Sequence, residues 1–486
     1  MTAAHQRLVP LRCAALLALL AGCGQGSTVD PGGTPVTPSG PVAQAWITTG
    51  NQARLLSPEP DLPIRSTADA ATTVIDVDET TAYQEMVGFG AAMTDASAYL
   101  LNNKLGSQRD GIMQELFGRN PGLGLSFVRV PMGASDFSTT DYSYDDMPAG
   151  QTDSTLANFS IAPDRTDKLP MLKQALAINP QLKLVASPWS PPGWMKTSGS
   201  LITGSLRPQS YDSFANYFRK FIQAYSAEGV PIYAITVQNE PAYEPADYPG
   251  MLLDSAARGE VIGHHVGPVL AGAGLSTLIL DWDHNWDRPG QPLGVLGNPA
   301  ANQYVNAVAW HCYAGNVSAQ DAVHSAYPTK DVYFTECSGG AWAPVFADNL
   351  KYWVGTIIIG TTRGWAKGVA FWNLALDENA GPHLGGCGNC RGVITINSGS
   401  GYVTRNVEYY ALAHASQFVR PGAHRIASSS DVGGLQSVAF KNADDGSKIL
   451  IVLNTTSAEV SFAIHTAGKS ISYAIAAGAV VTFRWM

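Results

Sequence analysis

Residues 182–189 read LKLVASPW, residues 211–228 read YDSFANYFRKFIQAYSAE, and residues 232–240 read IYAITVQNE. The first and third are short continuous apolar runs, as expected of strands buried on both faces of a parallel sheet. In the second, Phe214, Tyr217, Phe218, Phe221 and Tyr225 recur at three- and four-residue steps, which is one face of a helix. Strand, helix, strand in that order is a right-handed parallel crossover unit.

The same unit repeats outward in both directions. Strand-like segments are expected at Glu85–Gly90, Leu125–Met132, Leu182–Trp189, Ile232–Glu240, Ser276–Asp283, Val305–Tyr313, Asp331–Ser338 and Gly368–Leu376. Leu169–Ile178 and Phe346–Ile359 have helical spacing. Eight such units predict a (β/α)8 TIM barrel over residues 83–405, with a doubly wound open sheet as the alternative. From about Ala423 the pattern changes to short alternating strands, among them Leu435–Lys441, Lys448–Asn454, Val460–His465 and Val480–Trp485. Asp444-Asp445-Gly446 supplies a hairpin turn. Residues 406–486 are therefore expected to hold a last helix and a β-sandwich. Strands in residues 44–82 are expected to complete it, making that domain discontinuous.

The N-terminus reads differently. His5, Arg7 and Arg12 precede a short apolar run that ends Leu20-Ala21-Gly22-Cys23. The run is too short to span a bilayer, and residues 1–23 resemble a bacterial lipoprotein signal lipidated at Cys23. A plain secretory signal is the alternative, and both imply export to the cell envelope or beyond. Residues 24–43, rich in Gly, Pro, Ser and Thr, read as a flexible tether. A membrane is thus expected as a partner only through the lipid anchor.

Composition narrows the function. A 45% hydrophobic and 14% charged chain is an ordinary globular one, and a net charge of -9 without basic runs argues against nucleic acid. Eleven tryptophans and nineteen tyrosines suit stacking on pyranose faces, although most aromatics are core.

In a TIM barrel the reactive groups sit at the C-terminal ends of the strands. Here those ends carry Asp95, Arg129, Asp136, Trp189, Asn239-Glu240, His311-Cys312-Tyr313, Glu336-Cys337 and Trp372-Asn373. So many polar and aromatic groups at one level are not core packing. Two carboxyl groups flanking a scissile bond are what glycoside hydrolysis needs. Glu240 and Glu336, on strands four and seven, are expected about 5–5.5 Å apart, the spacing for retention. Glu240 is expected to be the acid/base, its pKa raised by its anionic partner, and Glu336 the nucleophile, kept ionised by hydrogen bonds. Either glutamate taken alone reads equally well as a salt-bridged strand end.

The stretches GFGAAMTDA, FVRVPMGASDFS, ASPWSPPGWMK, TVQNEP, FTEC and FWNLALDENAGP, in this order, resemble glycoside hydrolase family 30, which includes lysosomal glucosylceramidase. The resemblance implies a retaining mechanism on a TIM barrel with an attached β-sandwich, with no cofactor or metal. It matches Glu240 to the acid/base and Glu336 to the nucleophile. It also matches Asp95, Trp189, Asn239 and Trp372 to residues that hold the sugar. An N-cap for Asp95 and core filling for the tryptophans are the plain alternatives. Arg129 is expected to support Glu336, and His311 and Tyr313 to line the site and orient Glu336. Trp194 is a weaker candidate. The stretches Asp281–Asp287 and Trp310–Asn316 look more like the endo-β-1,6-glucanases of the family, which places His284 and Trp286 near the subsites. The expected substrate is a β-1,6-glucan, with glucosylceramide or a simple β-glucoside as alternatives. An inactive glycan-binding lipoprotein is the reading from another class. Oligomeric state is not legible.

Three other signals carry less. The D-x-D-x-N-x-D spacing from Asp281 fails as a calcium loop at Trp286 and Pro292. Cys387 and Cys390 read as a small-loop disulfide rather than half a zinc site, whereas Cys312 and Cys337 are left as a disulfide or free thiols. His264-His265 reads as surface.

Overall fold

The computed structural model describes residues 40–66 and 71–486. The signal, Cys23 and nearly all of the expected tether lie outside the described residues. The strand Val42–Thr48 begins inside the stretch read as tether, because Ala43 and Ala45 are buried in the sandwich core.

Eight parallel strands form the barrel: Gly88–Ala92, Phe127–Pro131, Lys183–Ser187, Ala234–Thr236, Leu278–Asn285, Val305–His311, Asp331–Glu336 and Ala366–Asn373. They are hydrogen-bonded in the order one, eight, seven, six, five, four, three, two. Strands one and two meet through Ser126 N to Phe89 O (3.0 Å) and Met93 N to Arg129 O (2.9 Å). The open-sheet alternative is thereby removed. Close approach at this seam explains a glycine of the GFGAAMTD stretch: a Cβ on Gly90 would lie 2.0 Å from the Phe127 carbonyl oxygen.

Inward side chains fill the barrel with large and small residues in turn. Phe127 stacks on Tyr333 with centroids 5.5 Å apart, and Ala234, Ala307, Ala309 and Ala370 make room for them. The helix Tyr211–Ala227 buries the expected Phe214, Tyr217, Phe218, Phe221 and Tyr225. The segment expected as a helix at Phe346–Ile359 is α-helical over Phe346–Lys351 and continues as a wider π-helical turn over Tyr352–Gly360. Strand four is shorter than its apolar run, ending at Thr236, so Gln238, Asn239 and Glu240 sit on the turn beyond it.

Ten of the remaining strands form one sheet around a second core, and five short ones form two small sheets beside the barrel strands' ends. Val42–Thr48 pairs with Val480–Trp485, and Val74–Glu85 lies between His424–Ser428 and Val460–Thr466. Both N-terminal segments are thus integral to the sandwich. Two strands not anticipated, His424–Ser428 and Lys469–Ile475, complete it. At the seam, the buried His414 on helix Val407–Ser416 bridges Thr482 Oγ1 (Nδ1, 2.9 Å) and Thr48 Oγ1 (Nε2, 2.8 Å). No helix among the described residues is long and apolar enough to cross a membrane.

Candidate active site

At the C-terminal mouth of the barrel the backbone itself is distorted. Glu240 has φ +45°, Trp282 +78° and Asp283 +52°, a region that non-glycine residues enter at a cost of about 1–3 kcal/mol each. The distorted turns are tied together, Glu240 N donating to Asp283 O at 3.0 Å. Packing thus holds strained residues where chemistry is expected.

Beneath the mouth lies a buried charge cluster. Arg129, fully buried, donates from Nη1 to Glu336 Oε2 (2.5 Å) and from Nη2 to Asp283 Oδ2 and Asn239 Oδ1 (2.7 Å each). Asp283 also accepts from Ser187, Thr236 and Thr335 hydroxyls at 2.6–2.7 Å, and lies 2.9 Å from His311 Nε2. Burial alone would raise its pKa, but Arg129 and His311 hold it well below the carboxylate range. Trp189 and Trp372 stack with centroids 5.1 Å apart, and the Arg129 guanidinium lies 4.7 Å from the Trp189 ring. A buried arginine so enclosed, with both terminal nitrogens paired to carboxylates, is a fixed positive charge.

The two glutamates sit on opposite sides of this cluster. Glu336 takes Arg129 on Oε2 and the Tyr313 hydroxyl on Oε1 at 2.8 Å. Glu240 Oε1 lies 3.2 Å from His311 Nδ1 and 3.4 Å from His284 Nδ1. The electrostatics differ from the expectation. Burial favours the neutral form of Glu240, but His284 and His311 outweigh it and bring its pKa down to about 2. Burial pushes Glu336 up, against the pull of His311 and Arg129. His311, despite burial, is raised to about 9 by the charges of Glu336 and Asp283 and its bond to Glu240. The expectation considered only the carboxyl pair and omitted the imidazoles, which both lie on the Glu240 side. A positive His311 between Asp283 and Glu240 thus belongs to the sugar-free site.

A cleft of about 500 Å³ opens over the pair, lined by Glu240, Glu336, His284, Tyr313 and Trp372. Trp189 and Asn239 are buried just behind it, joined to Arg129. Two expected residues are elsewhere. Asp95 ion-pairs with Lys168 at 3.1 Å and accepts from Tyr142 and Ser138 in a separate buried network. It is not the N-cap either, since Thr94 caps that helix. Trp286 is buried against Phe334, its Nε1 donating to Gln320 at 3.0 Å. Strand five runs on to Asn285, so the residue after it turns into the core behind the mouth. Trp194 is occupied with Asp145.

Residues the sequence reading did not assign also line the cleft: Asp136, Asp247, Tyr243, Tyr248 and Trp342. Asp136 is buried, and its pKa is pushed well above the usual range by desolvation and by the charges of Glu336 and Glu240. Its position at the end of strand two was the available signal. Cys387–Cys390 is a disulfide at the rim, and Cys312–Cys337 is a second one joining the ends of strands six and seven. Asp281 and Asp283 are consumed by Arg258 and Arg129. His265 pairs with Asp212 on the surface. Among the described residues, Glu240, His284 and His311 alone bring three potential metal-ligating atoms within 4.8 Å of one another.

The family profile of the glycosyl hydrolase family 30 TIM-barrel domain matches residues 86–419, and that of the family 30 β-sandwich domain matches residues 422–483. The chain belongs to glycosyl hydrolase family 30. This family 30 hydrolase is 39% identical over 412 residues to an endo-1,6-β-D-glucanase of Aspergillus fumigatus, covering 79% of this chain and 82% of the relative. It is 35% identical over 442 residues to the endo-1,6-β-D-glucanase of Neurospora crassa, covering 87% and 90%. A solved endo-β-1,6-glucanase structure superposes with a TM-score of 0.83 at 32% identity, covering 91% of this chain and 99% of that one.

Proposed function

We propose that the enzyme is a retaining, endo-acting β-1,6-glucanase with Glu240 as acid/base and Glu336 as nucleophile. The observation that carries the substrate is the near-full-length similarity to endo-1,6-β-glucanases in both sequence and structure. The cleft adds support. Tyr243 (49% exposed), Tyr313 (45%) and Trp342 (54%) present open aromatic faces along it, platforms suited to successive glucose rings.

In this reading one Glu336 oxygen attacks the anomeric carbon while Arg129 holds the other. The glycosidic C–O bond breaks as Glu240 delivers a proton to the departing O6. Glu240 is ionised in the sugar-free site, so the proton it delivers is passed from the positive His311, which reaches Glu240 on one side and Asp283 on the other. Water, activated by Glu240, then breaks the glucosyl ester on Glu336, giving net retention. The Asn239 oxygen is taken by Arg129, and its amide N–H is the group it offers a sugar 2-OH. Trp372 forms the wall beside the reacting ring.

The test is product release from pustulan, a linear β-1,6-glucan. Oligosaccharides from the intact chain, absent with Glu336→Gln, support the assignment. Cleavage of glucosylceramide or an aryl β-glucoside without attack on pustulan overturns the substrate and keeps the chemistry. Glycan binding without any hydrolysis favours the inactive-lectin reading.

Export, with lipidation at Cys23, belongs to the same proposal. Two disulfides suit an oxidising compartment. Residues 83–405 as barrel, and 44–82 with 406–486 as sandwich and last helix, are our division of the chain.

A further inference from the structure

We propose that Glu240, His284 and His311 form a binding site for one divalent transition cation of the Zn²⁺ type, and that its occupancy switches the enzyme off. Glu240 Oε1 lies 3.2 Å from His311 Nδ1 and 3.4 Å from His284 Nδ1. A tetrahedral ion with bonds of about 2.0–2.1 Å holds its ligand atoms roughly 3.3 Å apart. The three ligand atoms all lie within 4.8 Å of one another.

His284 supplies an independent observation. It is 7% exposed, and its Nδ1 meets the Glu240 carboxylate at 3.4 Å without making a hydrogen bond. Buried polar atoms are rarely left so, because the desolvation goes uncompensated. The orphan nitrogen faces Glu240, where an ion shared by the three side chains would satisfy it. On releasing its Nδ1 proton to solvent as the ion enters, His311 is oriented as a ligand: its other nitrogen lies 2.9 Å from Asp283 Oδ1, the carboxylate–histidine support that steadies ligating imidazoles. Asp283 is itself held by Arg129 and three hydroxyls.

The donor set fixes the ion class. Two imidazoles and one carboxylate suit zinc or copper, whereas magnesium and calcium prefer oxygen. The four cysteines among the described residues are tied in disulfides and offer no competing thiolate. Glu240 and His284 line the cleft, so an ion can enter and keep an open fourth position. An ion on Glu240 holds its carboxylate ionised and displaces the proton shared with His311, and hydrolysis stops until the ion leaves. This inference stands on the three side chains and is independent of which glucan fills the cleft.

The test is calorimetric titration of the full chain with ZnCl2, and with MgCl2 for comparison. One Zn²⁺ per chain is expected, with Mg²⁺ not bound. Affinity should fall in His284→Gln by at least the roughly 10–100-fold that loss of an outer-shell partner costs at metal sites. Glu240→Gln should weaken binding as well, and serves if the histidine variant fails to fold by circular dichroism. His265→Gln, which disturbs the surface pair with Asp212, should bind as the parent does. Inhibition by Zn²⁺ should follow occupancy and reverse with EDTA. Unchanged affinity in folded His284→Gln and Glu240→Gln, loss in His265→Gln, or equal binding of Mg²⁺ overturns the proposal. So does full activity with the site saturated.

Discussion

Arg129 and Asp283 form an ion pair at 2.7 Å in which neither side chain has any exposed surface. Asp283 also anchors His311 and accepts three hydroxyls, so the pair joins both glutamates through a single rigid group. Removing its charge leaves a buried arginine short of a partner, at a cost of about 3–5 kcal/mol. Asp283→Asn should lower stability by that order in denaturant melts. Its kcat should fall by about 10²–10³, comparable to loss of one preorganised electrostatic group.

The two glutamates are separable by leaving group. Glu240→Gln should lose about 10²–10⁴ in kcat on glucan, the usual contribution of a general acid. On a dinitrophenyl β-glucoside, whose leaving group needs no proton, glycosylation should proceed and a burst should be visible. Glu336→Gln should fail on both substrates. Proton NMR of the first product from the parent enzyme should show the β-anomer.

Asp95 lies in the Lys168 network, whereas Asp136 borders the cleft. Asp95→Asn should leave KM unchanged while lowering the melting temperature, since it weakens the pair with the buried Lys168. The cost should be about 1–3 kcal/mol, that of an under-satisfied buried donor. Asp136→Ala should raise KM on the shortest oligosaccharides, because its carboxyl borders the cleft.

His414 gives a pH dependence with a defined sign. Thr482 Oγ1 donates to the His414 carbonyl (2.9 Å), so it accepts from Nδ1–H. Thr48 Oγ1 is left to donate to Nε2. Only the neutral imidazole fits, and burial brings its pKa down from 6.5 to about 3. Its contribution to stability is complete above pH 6.5 and is lost as pH falls toward 3. The unfolded chain takes up one extra proton there, about 1.4 kcal/mol per pH unit. Chemical denaturation between pH 7 and 4 should show this slope, and His414→Gln should flatten it.

Gly90→Ala should prevent folding. A Cβ 2.0 Å from the Phe127 carbonyl oxygen cannot be relieved by a side-chain rotation, and the barrel seam would have to open. Expression as insoluble material, with wild-type solubility retained by Gly111→Ala on an open helix surface, is the expected contrast.

The barrel was legible because LKLVAS, IYAITV and their neighbours are buried on both faces and carry that burial in composition. Strand ends were also legible, and Glu240, Glu336, His284, His311, Tyr313, Trp372 and Arg129 do meet at the mouth. Asp95 and Trp286 show where linear position fails. Each lies at a strand end, yet the first turn of a helix carries one toward Lys168 and an extended strand five carries the other into the core. The protonation pattern was not legible, since it depends on imidazoles from strands five and six converging on one carboxylate. Lys469–Ile475 escaped notice because its burial follows the curl of the sheet, with only Ser470, Ile471 and Ile475 buried.

Val42–Thr48 lies between Ser57–Pro58 and Val480–Trp485 in the sheet. A ribosome delivers the first of these segments long before the last. The early strand must therefore wait, its main-chain groups served by water or a chaperone, while the whole barrel is synthesised. Its register is settled only after Trp485 has emerged. Truncating either edge of the chain would thus unmake the same piece of architecture, and a barrel expressed from residue 86 onward would present an open sheet to its neighbours.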